Sequence, residues 1–263
     1  MHMVRPHSTA RTLAALLLLA LAVAVLASLG RWQLHRADER RAILAAIEGG
    51  RAQAPLTLTA ATPAGQLQAW RPAQAHGRYR DDLTVVLDNR NRDGRPGYWI
   101  ATPLLLEGSD PATAILVLRG WMPRAAPGQP GAVAPPAPAD PQLVTGELAE
   151  RVPRLFELWH FGGTAVDVLP ARLPQADGKP PTVQNLDLTA YAAATGLRLL
   201  PAVLEQRAAA SPDADVLKQD WPQPSVDFNQ NQGYALQWFG FATIAGIAFL
   251  VVAWRALRRR RGR

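Results

Sequence analysis

The sequence predicts an α+β protein. A transmembrane hairpin of two helices, one at each terminus, brackets a mainly antiparallel β domain that lies outside the cytoplasm. Three observations predict it. Two uncharged apolar runs, Thr12 to Leu29 and Tyr234 to Trp254, stand at opposite ends of the 263-residue chain. Each is long enough to cross a hydrocarbon core of about 30 Å as a helix. Between them, short apolar and β-branched runs alternate with turns of Gly, Pro, Asn and Asp, the pattern of paired strands. Charge supplies the third. Eight of the 28 cations sit in the two tails, while all 21 acids lie between the runs, so the net +7 divides into +8 on the tails and −1 between them. Positive flanks stay cytoplasmic, which turns both termini inward and sends the insert across.

Taken in order, residues 1–11 form a cytoplasmic tail and residues 12–29 the first span. A signal peptide cleaved near Val25-Leu26-Ala27 is the rival reading, but the run is long for such a segment and no turn-forming stretch follows it. Trp32, Ile43, Leu44 and Ile47 carry helical periodicity through residues 31–48. This predicts a continuing helix, stopped by Gly49-Gly50, with Trp32 at the membrane interface. Arg31, Arg36, Arg40 and Arg41 oppose the orientation signal; Asp38 and Glu39 partly offset them, and the six tail arginines outweigh them.

The extracytoplasmic domain is expected over residues 30–233. Pro55 to Ala64 is turn-rich and reads as a loop. Leu83 to Leu87 reads as a strand, Asp88 to Gly94 as a turn, and Tyr98 to Leu106 and Ala114 to Trp121 as two further strands in antiparallel hairpins. Residues 125–141 are Pro/Ala-rich and predict an extended, poorly packed loop. Leu143 to Leu148 and Pro153 to His160 resume the strand pattern. Leu186 to Ala194 is a short helix with an acidic start, ended by Gly196, and Leu197 to Leu204 is a last strand. The second span occupies residues 234–254 and a basic cytoplasmic tail residues 255–263. Gly240, Ala242, Thr243, Ala245 and Gly246 permit close helix packing in lipid, with the first span as the simplest partner.

Composition excludes several functions. With no cysteine there is neither a disulfide framework nor a thiolate metal site. Three methionines and five scattered histidines give no metal-ligand spacing, so no metal site is expected. A pI near 10.6 would ordinarily suggest nucleic acid, but the basicity here is confined to the tails as a topology signal. Catalytic signatures are missing as well: no Gly-x-Ser-x-Gly elbow, phosphate loop, His-Glu-x-x-His or dinucleotide fingerprint. Asp81-Asp82 reads as a solvated turn and His160 as a packed or surface residue. No catalytic residue is assigned. A membrane-tethered enzyme would require a compact pocket of titratable groups.

Four clusters are more pointed. They are Gly30-Arg31-Trp32-Gln33-Leu34-His35-Arg36; Asp88-Asn89-Arg90 followed by Gly94 to Leu104; Arg119-Gly120-Trp121-Met122-Pro123; and Gly233-Tyr234-Ala235-Leu236-Gln237-Trp238-Phe239. Taken singly, each has an ordinary structural reading as interfacial aromatics and turns. In this order and inside a two-span frame, they resemble the surfeit locus protein 1 family, the cytochrome c oxidase assembly factors. The likeness runs from residue 13 to about residue 254. It includes Asn185-Leu186-Asp187, Tyr191, Thr195-Gly196, Pro201 and Asp220-Trp221-Pro222.

The resemblance implies a non-enzymatic chaperone of respiratory-chain biogenesis. It would sit in the bacterial inner membrane with its main domain in the periplasm, and assist haem a insertion into the core subunit of a haem–copper oxidase. The core subunit and other assembly factors would be its protein partners and the lipid bilayer its medium; transient haem a is the one cofactor implied. Family members often carry a His two residues ahead of the Gly-Tyr; here that position is Asn231, and an amide is a poor axial ligand. His35 is the substitute imidazole on the same side. Candidate contacts for haem a or a partner are therefore His35, Arg36, Arg119, Trp121, Asn231, Tyr234, Trp238 and Phe239. The aromatics would support the macrocycle, and Arg31, Arg36 or Arg119 would pair with propionates. The alternative is a haem-free scaffold that holds oxidase subunits.

Overall fold

The computed structural model describes residues 9–108, 112–125, 134–155, 169–207 and 216–261. It divides into two compact units, Met1–Ala45 with Pro224–Arg263, and Ala46–Gln223.

The first unit holds most of the long helix α1 (Thr9–Arg51) and all of the C-terminal helix, α3 (Asn229–Arg261). Both are long and apolar enough to cross a membrane. Leucines of both apolar runs are open, Leu17 at 71% and Leu236 at 76% exposure. Buried or half-buried positions recur at alternating steps of three and four: Leu16, Leu19, Val23, Leu26, Gly30 and Gln33 on α1, and Asn231, Ala235, Trp238, Ala242, Ala245 and Phe249 on α3. That spacing is the seam of a coiled-coil pair. The pairing is antiparallel, since Gly30 meets Phe239 while Val23 meets Gly246. A Cβ on Gly30 would lie 2.8 Å from the Phe239 ring, so any larger residue there would have to push the ring aside. α1 ends at Arg51, one residue past the Gly49-Gly50 pair where the sequence predicts a stop. Gly50 is buried, and a Cβ there would lie 2.6 Å from the Ala69 carbonyl, so this last turn of the helix packs closely on that backbone.

The second unit is β-rich. Its strands are β1 (Leu56–Leu58), β2 (Pro72–Tyr79), β3 (Val85–Arg92), β4 (Arg95–Leu106), β5 (Thr113–Pro123), β6 (Gln142–Ala149), β7 (Thr182–Val183) and β8 (Arg198–Gln206), with α2 (Leu188–Thr195) before the last. The order is β1-β2-β6-β8-β5-β4-β3-β7, and β2 also pairs with β4. Strands β2, β6, β8, β5 and β4 therefore close a ring. Gly77 makes the closure possible: a Cβ there would lie 2.0 Å from the Leu105 carbonyl.

Successive residues face opposite sides. Ile115 and Val117 join Ala75, Leu104, Val144 and Leu204 inside the ring. Leu116 and Leu118 join Leu87, Trp99, Val183 and Tyr191 outside it. The expectation of antiparallel pairing holds for β3–β4 and β4–β5, but β1–β2, β3–β7 and β5–β8 are parallel. The turn expected at Asp88 to Gly94 shrinks to Asp93-Gly94, both with positive φ, the two-residue turn that matches strand twist. β3 takes up the polar residues before it.

Asp187 caps α2, accepting from the amides of Thr189 and Ala190, and Gly196 ends it at φ 70°. Residues 134–141, expected as poorly packed loop, are tied down. Arg119 donates to the carbonyls of Pro135 and Pro136, Arg78 donates to Ala139, and the Ala137 amide donates to Asp81. The strand expected at Pro153 to His160 falls largely outside the described residues, as does the middle of the Pro/Ala-rich stretch.

Candidate functional site

In the helix pair, Asn231 and Gln33 come from two different sequence clusters. The Asn231 Nδ2 donates to Gln33 Oε1 at 2.7 Å. Asn231 is only 9% exposed, and its Oδ1 is buried without a partner. A step nearer the loops, Arg40 donates to the Asp227 carbonyl at 2.5 Å and Arg41 lies 4.9 Å from the Phe228 ring centroid. Phe239 packs on Gly30, Trp238 meets Phe241 edge-on at 6.2 Å, and Tyr234 is 44% exposed. His35 and Arg36 both turn to Glu39, at 3.4 and 2.9 Å.

These residues do not fit an iron ligand at position 231. Asn231 offers an amide whose nitrogen is already committed to Gln33. Among the described residues of this unit His35 is the sole imidazole; its side chain is 74% exposed and faces Glu39. The arrangement does present a half-buried aromatic surface, Trp238 with Phe239, beside a helix bearing Arg36.

Arg119 and Trp121 belong to the β unit. Arg119 is fully buried, its guanidinium on the Pro135 and Pro136 carbonyls and 5.6 Å from the Tyr79 ring centroid. Trp121 is 5% exposed and donates its Nε1–H to the Arg90 carbonyl at 2.7 Å. The sequence clusters converge around it. Arg90 stacks 4.6 Å from the Trp99 ring centroid, Trp99 meets Trp221 edge-on at 5.2 Å, and Arg92 holds Asp220 with bonds of 2.7 and 2.9 Å. Gly120, at φ 150°, lets Leu217 approach to 2.7 Å of where a Cβ would stand. The Arg90 guanidinium donates to the Pro153 and Gln184 carbonyls, leaves its Nε–H unpartnered, and is pushed down to about 10 by burial. This is a packed platform of tryptophans and arginines, bonded to itself and to the surrounding backbone carbonyls of the β unit.

One cluster escaped the sequence reading. Glu147 on β6 and Glu205 on β8 are direct cross-strand partners, both buried. Arg51, the last residue of α1, grips Glu147 with two bonds of 3.0 Å, stacks on Trp70 and reaches Gln223 at 2.5 Å. Arg207 also donates to Glu147. Glu205 is pushed up to about 7, chiefly by burial and then by Glu147, against the pull of Arg207 and Arg51. Glu147 falls inside the strand expected at Leu143 to Leu148, whereas Glu205 falls one residue past the strand expected at Leu197 to Leu204, so the sequence holds no local signal for the pair.

Comparison with known proteins bears on what these two units do. No curated protein matches the chain. The family profile described as the SURF1 family matches residues 20–243. That span takes in most of α1, the first half of α3 and the whole β unit, including the Gln33–Asn231 pair and the tryptophan platform, so the chain belongs to the SURF1 family, whose general role is in cytochrome oxidase assembly.

Proposed function

We propose that this protein is a membrane-anchored, non-enzymatic assembly factor that assists haem a insertion into the core subunit of a haem–copper oxidase. In this reading the two terminal helices span a bacterial inner membrane, with residues 12–29 and 234–254 in lipid, both termini cytoplasmic and the β unit periplasmic. The antiparallel seam of α1 and α3, with its lipid-ready outer leucines, supports the anchoring. Haem a is the cargo of the process, carried in partnership with the core subunit and other assembly factors.

The observation that carries the reading, beyond family membership, is the Asn231–Gln33 bond. It closes the seam where family members often present an imidazole, and it favours the haem-free form of the function, in which the protein holds the oxidase subunit open to its cofactor. Trp238, Phe239, Tyr234 and Arg36 then serve as contacts to a partner helix or to the macrocycle's edge; His35 is the remaining candidate for iron.

Deletion of the gene tests the function. The expected result is an oxidase core subunit depleted of haem a while haem a synthesis is normal; an intact, fully metallated oxidase refutes the role. Absorbance of the purified protein from haem-a-producing cells separates the two forms. A haem-free spectrum supports the scaffold. A stoichiometric haem a spectrum, reduced in His35→Ala, supports direct carriage.

A further inference from the structure

We propose that the arginine-bearing end of α3 is a binding surface for the headgroups of acidic phospholipids. The inference rests on the membrane-spanning reading of α1 and α3. α3 does not end with its apolar run at Trp254; it continues as helix to Arg261, about 10 Å further at the rise of an α-helix. Arg255, Arg258, Arg259 and Arg261 are all exposed on this extension. The last acidic residue in the chain is Asp227, so no carboxylate of the segment neutralises them.

The depth of the surface is set by one contact. The Arg258 guanidinium lies 4.0 Å from the Trp254 ring centroid, and that indole is 53% exposed. An exposed indole at the end of a span belongs at the membrane interface, so the stacked guanidinium is held at headgroup level. The guanidinium fork matches the oxygens of a phosphodiester. Leu250, 65% exposed, offers an acyl contact on the membrane side of Trp254. A membrane-surface arginine contributes up to about a fivefold gain in acidic-lipid affinity.

The test uses the full-length protein reconstituted into vesicles of phosphatidylcholine alone, or of equal parts phosphatidylcholine and phosphatidylglycerol. Flotation is followed by mild re-extraction and measurement of the lipid retained on the protein. The proposal expects several-fold enrichment of phosphatidylglycerol on the protein, reduced toward the bulk ratio in the variant Arg255→Gln, Arg258→Gln, Arg259→Gln, Arg261→Gln. Enrichment should persist in Arg95→Gln with Arg151→Gln, which removes exposed cations from the β unit. Retained lipid at the bulk ratio in the unaltered protein overturns the proposal, as does enrichment that survives the quadruple substitution. A protein that fails to float with either vesicle overturns the membrane reading itself, which is a distinct outcome.

Discussion

Asn231 donates a hydrogen bond to Gln33 across the helix seam, joining residues 198 positions apart in the chain. A polar pair at a seam position fixes which level of one helix meets which level of the other, because any slip leaves both amides in apolar surroundings. The same bond leaves the Asn231 Oδ1 buried and unpartnered, so its contribution is directional rather than large.

Gln33→Leu should destabilise the protein more than the double variant Gln33→Leu with Asn231→Leu, since the single change strands the whole Asn231 amide in the seam. The expected coupling is about 1 kcal/mol, in the range of interhelical hydrogen bonds in membranes. Unfolding of the full chain in mixed micelles measures it; additive effects would show that the amides do not interact.

The antiparallel register makes a second prediction. A Cβ on Gly246 would lie 4.0 Å from Val23 Cγ2, so these two positions face each other across the seam. The chain has no cysteine, so the pair Val23→Cys with Gly246→Cys has no background. Oxidation in membranes should cross-link it within one chain, whereas Val23→Cys with Phe239→Cys, one turn or more out of register, should not. A mobility shift on gels after proteolysis between the helices reads the outcome.

The terminal helices, the cap and stop of α2, and the strands β3 to β5 were legible because each has a strong local signature: an uncharged run, Asp187 with Gly196, β-branched residues between turns. What was missed lacks one. β2 buries Ala73, Ala75, Gly77 and Tyr79, an alternation carried mostly by residues too small to stand out as apolar, yet Gly77 lets the ring close. The parallel partners of β3 and β5 come from distant chain, which no local pattern encodes. The clusters around Arg90, Trp99, Trp121 and Trp221 were visible as clusters, but their meeting in one platform was not. Glu147 and Glu205 stayed hidden since only the β6–β8 register brings them face to face.

That register predicts a pH dependence. Glu205 has an ordinary value of 4.5 and is pushed up to about 7 when folded. The folded state therefore holds the proton longer than the unfolded chain, and stability falls as pH rises from 4.5 through 7. The penalty is absent below 4.5 and complete above 7, reaching about 3 kcal/mol. Glu205→Gln should raise the melting temperature at pH 8, leave it nearly unchanged at pH 4, and flatten the fall between them. Glu147→Gln should flatten it too, because the repelling neighbour is gone and Arg51 and Arg207 are released to Glu205. A thermal scan of the detergent-solubilised protein across this range decides the matter; parallel profiles for wild type and Glu205→Gln would reject the assignment.

Trp121→Phe separates a structural from a contact role for the platform. Its Nε1–H is the donor to the buried Arg90 carbonyl at 2.7 Å, and Arg92 lies 5.6 Å from its ring centroid. Phenylalanine keeps the ring but removes the donor and part of the volume, at a cost of about 2 kcal/mol. The expected outcome is a lower melting temperature with normal oxidase haem a content at reduced growth temperature, where enough folded protein remains. Trp121 is buried on all sides, so a partner has little of it to touch. Were assembly lost at a growth temperature where the variant is fully folded, the platform would have to open to a partner during assembly, and its internal bonds would be those of a resting state.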